Sequence, residues 1–299
     1  MRDHVTLTEA ARMADTDTPP VPRVLLGLDA DGHPLWWSPT THGNLLTVSS
    51  TGAGRTTLTR SLTAQLARLS PAPDDVLLPA PDRRSAYAGA LADVAPITPD
   101  ITGTTTVRTD PRIGHWAITV IDGVGGREWL SLEAAADEAA DTVGQVNVVS
   151  GIHPHAVADA LEGLAETVAF RTLAHQRGAT APGGPYRFLV LDTLVRADDL
   201  TPEAVDDLTR IMVDGPTVGV YTVDARGVHA PHDLTPYGLV AIAGLPPAVI
   251  RRLELGPELS ATPRGRWAVR NLRVDGPWVP VQGVHAPDDH ADLAAFLAS

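Results

Sequence analysis

The stretch "NLLTVSSTGAGRTTLTRSLTAQLARL", from Asn44 to Leu69, limits what this chain can fold into more than any other. A short apolar run reads as a strand, "STGAGR" as a glycine-containing turn, and leucines at 58, 62, 66 and 69 as one face of a helix that stops before Pro71. A strand that turns through glycine directly into a helix presents the unpaired N–H groups of the first helical turn to the bend, and such a bend attracts phosphate. The eight residues "SSTGAGRT", Ser49 to Thr56, fit the phosphate-loop pattern G-x-x-x-x-G-K-[ST] at Gly54 and Thr56 and depart from it at Ser49 and Arg55. A glycine-rich turn can join any strand to any helix, so the match gains weight only from its context in the chain.

That context includes "YRFLVLD", a near-continuous apolar run of the kind that both faces of a parallel sheet cover, ending in Asp192. An aspartate there can hold magnesium through water opposite a phosphate loop. The next residue is Thr193, whose hydroxyl is too weak a base to activate water, and Asp198 and Asp199 in the following loop are too far along to replace it. Ser49 would be strained by about 1–3 kcal/mol if its position needs a positive φ. Arg55 keeps the charge of a lysine but not its compact shape. All 23 basic residues are arginines, so Arg55 also reflects a chain that contains no lysine, and no distant lysine can replace it.

Other elements follow from pattern. "RVLLGLDADGHPLWW" alternates around Asp31-Gly32, a two-residue turn signal, and predicts a β-hairpin at about 23–37. Residues 1–22 read as a flexible lead-in with a short helical stretch at "LTEAARMA". Strands are expected at 75–78, 117–121, 145–150, 217–224, 238–243, 266–271 and 278–282. Helices are expected over "HAVADALEGLAETVAFRTLAHQR" and at 202–213, 247–254 and 288–298. Strands alternating with helices predict an α/β fold with a mainly parallel sheet. The segment 74–113, rich in proline and threonine, reads as an insertion.

In this order the motifs resemble the FtsK/SpoIIIE family of P-loop ATPases, from about Val24 to the C-terminus. "LLGLDADGHPLWWSPTTHGNLLTVSSTGAGRTTLTRSL" is similar to the family's opening hairpin, strand, phosphate loop and helix. "ITVIDGVGGREW" resembles a strand ending in an Asp-Pro-Lys-Gly turn, reduced here to Asp122-Gly123, and "FLVLDT" resembles the Walker B strand. "DGPTVGVYTVDARG" resembles the sensor strand, with Asp224-Ala225-Arg226 keeping only the arginine, and "SATPRGRWAVR" resembles the late Gly-Arg-Gly strand.

The resemblance implies a RecA-like P-loop NTPase domain over residues 23–299. It implies ATP and Mg2+ as cofactors, with the nucleotide at Ser50, Thr51, Gly52, Ala53, Gly54, Arg55, Thr56 and Thr57 and the metal at Thr56 and Asp192. Asp192, Arg226 as a γ-phosphate sensor and Arg266 offered to a neighbour's site are the catalytic candidates. Such motors form rings and move DNA or protein, so the partners implied are copies of the chain or an active motor subunit. The departures at Ser49, Arg55, Gly123, Thr193 and the sensor imply slow or absent hydrolysis, and a pseudo-ATPase scaffold is the alternative.

Composition narrows the rest. A net charge of −13 repels polyanions at long range, so DNA binding is expected to be weak and salt-dependent. Without cysteine there is no thiolate chemistry, and with neither a bilayer-length apolar run nor an apolar leader a cytoplasmic protein is expected. His229, His232 and Asp233, and His285 with His290, sit in proline-containing loops without helical spacing, which disfavours a metal site. A carboxylate pair of Asp122 and Asp192 acting as a hydrolase is conceivable, but strand ends beside a phosphate loop explain both more simply. No G-x-S-x-G motif points to a serine hydrolase.

Overall fold

The computed structural model describes residues 5–14, 22–70, 97–99, 105–107, 116–123, 128–140, 142–177, 185–193, 200–228, 233–252, 265–274 and 276–299. In chain order the elements are β1 (Val5–Thr6), α1 (Leu7–Ala14), β2 (Val24–Leu28), β3 (Pro34–Trp37), α2 (Pro39–His42), β4 (Asn44–Ser49), α3 (Arg55–Arg68), β5 (Ile97–Pro99) and β6 (Thr105–Val107). Next come β7 (Ala117–Asp122), α4 (Glu128–Glu138), β8 (Gln145–Ser150), α5 (Pro154–Gln176), β9 (Arg187–Asp192) and α6 (Pro202–Asp214). A 3-10 turn (Gly215–Val218), β10 (Val220–Arg226), β11 (Tyr237–Ala243), α7 (Pro247–Arg252), β12 (Arg266–Asn271), β13 (Val279–His285) and α8 (His290–Ala298) complete the chain.

One 11-stranded sheet carries the molecule, in the order β3-β2-β13-β12-β11-β4-β10-β9-β7-β8, with β1 beside β13. Within the run β11-β4-β10-β9-β7-β8 every neighbouring pair is parallel. β12, β13, β2 and β3 extend the sheet as antiparallel partners. Parallel strands must be covered on both faces, and they are. On one face Leu45, Val120, Val190 and Val223 meet Leu58, Leu62 and Leu66 of α3, with Trp129 and Leu132 of α4 and Leu293 of α8. On the other, Ile121, Leu189 and Leu191 meet Leu161 and Val168 of α5 and Ile211 of α6, while Leu46, Val48, Val240 and Ile242 meet Met212 and Ile250.

The leucine face expected of α3 is present, but the helix is buried on every side from Leu58 to Ala67. Its polar residues are therefore bonded inside the protein. Gln65 accepts from Leu25 N and donates to Leu25 O, fixing the helix to β2, and Arg60 donates to Asp288 Oδ1 at 2.7 Å and Pro287 O at 3.0 Å. The helix that leaves the glycine turn is thus the central element of its layer.

The hairpin forms where the alternation predicts it, with a different turn. Asp29 N bonds His33 O and Gly32 N bonds Asp29 O, so three residues, Ala30 to Gly32, make the bend. Gly32 has φ 86°, the left-handed residue that ends a type I turn with a bulge, and Asp29 Oδ1 accepts from Asp31 N and His33 N. The side chain of Asp29 favours this longer loop over the two-residue one.

Helix α4 has no counterpart among the expected elements. The 3-10 turn takes up the start of the strand expected at 217. Most of the presumed insertion at 74–113 and the strand at 75–78 fall outside the described residues; β5 and β6 within it pair with each other.

Aromatic residues are only 4% of the chain, yet four of them gather at the N-terminal ends of β7, β9 and β10. Phe188 stacks on Tyr221 with centroids 6.0 Å apart, Trp116 lies 5.7 Å from both Tyr186 and Phe188, and Tyr186 lies 6.0 Å from Tyr221. Burial, with Tyr186 as a second cause, pushes the Tyr221 hydroxyl up to about 12. An unfolded tyrosine ionises near pH 10, so this stabilisation is full below about pH 10 and is lost as pH rises to about 12, at about 1.4 kcal/mol per pH unit. Chemical denaturation on both sides of that window should show the fall, and Tyr221→Phe should flatten it. Tyr237, raised by burial and then by the charge of Asp224, leaves a residual slope of the same sign.

Candidate functional site at the carboxyl ends of the parallel strands

β4, β9, β10 and β7 end on the same edge of the sheet, where open α/β sheets bind ligands. β10 lies between β4 and β9, and the register pairs Ala225 with Thr47 on one side and with Asp192 on the other. Asp122 on β7 pairs with Asp192. Ser49 and Asp192 therefore end neighbouring parts of one edge, as the sequence order requires.

The bend from β4 to α3 is glycine-dependent. Gly52 has φ 78° and Gly54, the residue before the helix, has φ 97°. Both lie in the left-handed region that glycine adopts without cost. Ser50 N donates to Ala243 O, Ala53 N to Ser50 O, and Gly265 N to Ala53 O, so neighbouring strands hold the bend on two sides. The helical ladder begins with Leu58 N donating to Gly54 O at 2.9 Å. The amides of Arg55, Thr56 and Thr57 precede that ladder at the positive end of the helix dipole. This arrangement fits an anion.

Ser49 is not strained. It ends β4 in the extended region, and the only non-glycine residue with a positive φ among the described residues is Thr193, at 59°. The strain expected at Ser49 thus falls elsewhere. Ser49 is fully buried, and its hydroxyl has no hydrogen-bond partner among the described residues.

Arg55 turns back beneath the bend towards β9. Its Nη2 donates to Thr193 Oγ1 at 2.5 Å, its Nη1 to Ser49 O at 3.4 Å, and its Nε lies 3.6 Å from Asp192 Oδ1. Thr193 Oγ1 donates in turn to Asp192 Oδ1 at 3.1 Å. The other carboxylate oxygen, Oδ2, accepts from the indole Nε1 of Trp129 at 2.9 Å. The backbone fixes this corner as well, because Thr193 N donates to Ala225 O and Gly123 N to Asp192 O. A β-branched residue at positive φ costs on the order of 1–3 kcal/mol, and here that conformation carries the hydroxyl that joins Arg55 to Asp192.

The departures at Arg55 and Thr193 are therefore in direct contact. The sequence alone treats them as separate losses, because they lie far apart along the chain.

Trp129 closes the quoted stretch "ITVIDGVGGREW", but the sequence gives it no role there. Trp129, Leu132, Ala135 and Ala136 are buried at i, i+3, i+6 and i+7 within "EWLSLEAAADE", a helical spacing that identifies α4. Nothing in that spacing says that the indole reaches Asp192.

The other candidates are placed differently. Arg226 follows Ala225 at the end of β10, and its Nε donates to Asp224 Oδ2 at 2.8 Å, which also accepts from Tyr237 Oη at 2.5 Å. Asp224 is 1% exposed. Burial is the strongest single influence on the Arg226 guanidinium and lowers it, but the charge of Asp224, Tyr237 and the hydrogen bonds to both together outweigh burial and raise it. Val223 packs on the α3 side, so by alternation Asp224 and Arg226 face the side where Tyr237 packs with Leu46 and Val48. Arg226 is thus tied to a carboxylate on the sheet face away from Arg55 and Asp192.

Arg266 begins β12 next to Gly265, which touches the bend at Ala53 O. His290 faces Glu138 Oε1 at 3.4 Å, and His285 lies on β13 in register with Thr6. His229 and His232, like Asp198 and Asp199, lie outside the described residues.

Magnesium is the metal that a phosphate loop implies, and Thr56 and Asp192 are its candidate ligands. Asp192 does not fit that role here. Both of its oxygens already accept a hydrogen bond, and a guanidinium faces the inner one. Among the described residues no helix is long and apolar enough to cross a membrane.

No family model and no curated protein matches the chain. Solved structures do. The cytoplasmic domain of the type VII secretion ATPase EccC from Thermomonospora curvata is similar over 100% of this chain and 35% of that one, with a TM-score of 0.60 and 16% identity. ATPases 2 and 3 of EssC from Geobacillus thermodenitrificans match over 100% of this chain and 51% of theirs, at 0.60 and 11%. The pCW3 conjugation coupling protein TcpA, in its monomer form with ATPgS, matches over 95% of this chain and 75% of that one, at 0.58 and 14%. This chain spans about a third of the EccC domain's length. At these identities the likeness is one of fold.

Proposed function

We propose that this chain, whose fold is that of FtsK/SpoIIIE-type motor ATPases, is a nucleotide-binding module of a larger translocation assembly with slow or absent hydrolysis. The observation that carries the reading is the bend itself. Gly52 and Gly54 in left-handed conformations set the amides of Arg55, Thr56 and Thr57 ahead of the α3 ladder. Slow turnover follows from Thr193, which occupies the position after Asp192 and engages its hydroxyl with both Arg55 and Asp192. A residue so bonded does not activate water.

Partners and place are part of the proposal. The related structures belong to secretion and conjugation machinery, which supports a role beside other motor subunits, moving protein or DNA, in the cytoplasm. Net charge favours protein cargo, or DNA handled by a partner. Arg226, held by Asp224, and Arg266, beside the bend, remain candidates for completing a site shared with a neighbouring subunit.

Calorimetric titration with ATP in magnesium buffer tests the reading. Wild type should bind with a Kd in the micromolar to sub-millimolar range, and Arg55→Ala and Thr56→Ala should weaken binding by about tenfold each. Absence of heat at millimolar ATP overturns nucleotide binding and favours the alternative, a pseudo-ATPase kept as an interaction module.

A further inference from the structure

We infer that the site takes its nucleotide without magnesium, because Arg55 fills the counter-ion position at Asp192 that the dication would otherwise occupy. The inference rests on the nucleotide reading of the same bend and adds the ionic form of the ligand. A magnesium ion needs rigid octahedral oxygen coordination and keeps most of its waters, so the carboxylate that steadies it must offer open lone pairs to those waters. Asp192 is 1% exposed; its Oδ2 accepts from the Trp129 indole, its Oδ1 accepts from the Thr193 hydroxyl and faces the Arg55 Nε, and the lone pairs left over open onto buried protein, not onto water. Its single negative charge is already balanced. A dication placed there would meet the guanidinium as a like charge in a poorly hydrated corner, where repulsion is weakly screened.

Arg55 is also held in place. Leaving Asp192 would break its bonds to Thr193 Oγ1 and Ser49 O as well, and Thr193 is oriented for that contact by its left-handed backbone. A guanidinium has five N–H donors, more than its contacts here use, so it can face Asp192 and still offer donors to a phosphate. The three first-turn amides supply the remaining contacts. Of the two protein candidates, only the Thr56 hydroxyl stays available, so a magnesium ion on the phosphates would have no carboxylate to steady its waters.

The test compares ATP in buffer with EDTA against ATP in millimolar magnesium, by calorimetry on the full chain. Wild type should bind with Kd values that agree within about threefold, whereas Arg55→Lys, which keeps the charge but loses the fork, should bind at least about tenfold tighter with magnesium. Circular dichroism and a denaturation curve confirm that the variant is folded. Wild-type binding that is tighter with magnesium by more than about threefold overturns the inference and leaves the nucleotide reading standing. An Arg55→Lys variant as indifferent to magnesium as wild type removes Arg55 as the cause and overturns it too. No binding in either buffer removes the nucleotide reading, and the inference with it.

Discussion

Arg55→Ala is expected to lower the folding stability by about 3 kcal/mol at neutral pH, the lower end of what removing one partner of a buried ion pair costs. The arginine side chain is 14% exposed and the aspartate side chain 2%, so this pair belongs with buried pairs and not with surface ones worth about 0–1 kcal/mol. Most of the loss comes from what remains behind. Without Arg55, the Asp192 carboxylate stays in its pocket with two hydrogen bonds and no opposite charge among the described residues within the 4 Å of an ion pair. Thr193 keeps its left-handed backbone and loses the contact that makes use of it. Combining Arg55→Ala with Asp192→Ala should recover part of the stability, because both charges are then gone. Urea denaturation of the four proteins gives the coupling directly. A single-variant loss below about 1 kcal/mol would mean that solvent already screens the pair.

Trp129→Ala is expected to cost about 3–5 kcal/mol, as for other large aromatic side chains removed from a core. Trp129 is 1% exposed and packs between α4 and the face that carries α3. Two effects contribute, and a second variant separates them. Trp129→Phe keeps most of the apolar volume but removes the N–H that Asp192 Oδ2 accepts at 2.9 Å, so it should cost about 1–3 kcal/mol, the penalty of leaving a buried acceptor unsatisfied. The difference between the two variants is then the packing share. If Trp129→Phe is neutral by urea denaturation, the indole does not hold the carboxylate, and water or a rotated side chain takes its place.

The sequence made the frame of this site legible because periodicity is a local property. The apolar run ending at Ser49, the glycines before Arg55 and the buried run ending at Asp192 each reveal their element without reference to the rest. Each forms as β4, α3 or β9. Strand order is less local, yet alternating elements were enough to indicate a parallel sheet with both faces covered.

The contacts between side chains were not legible. Arg55 and Thr193 read as two separate departures, and only the parallel register of β4, β10 and β9 brings them within hydrogen-bonding distance. A pattern with glycine at Ser49 implies strain there only if that position needs a positive φ, whereas the backbone places the positive φ on Thr193, where a hydroxyl has two partners. Trp129 could be placed on a buried helical face from spacing alone, but spacing gives no direction for an indole N–H. The hairpin differs for a similar reason: Asp31-Gly32 suggests a two-residue turn, and the carboxylate of Asp29, accepting from two backbone amides, selects the three-residue loop.

Hydrogen exchange during the ATP titration tests nucleotide binding at the bend between β4 and α3 directly. Binding at the bend should slow exchange of the amides from Gly52 to Thr57, and leave Tyr221 and its aromatic neighbours at the opposite strand ends unchanged. Heat of binding without protection from Gly52 to Thr57, or neither heat nor protection at millimolar ATP, would show that the bend is not a nucleotide site.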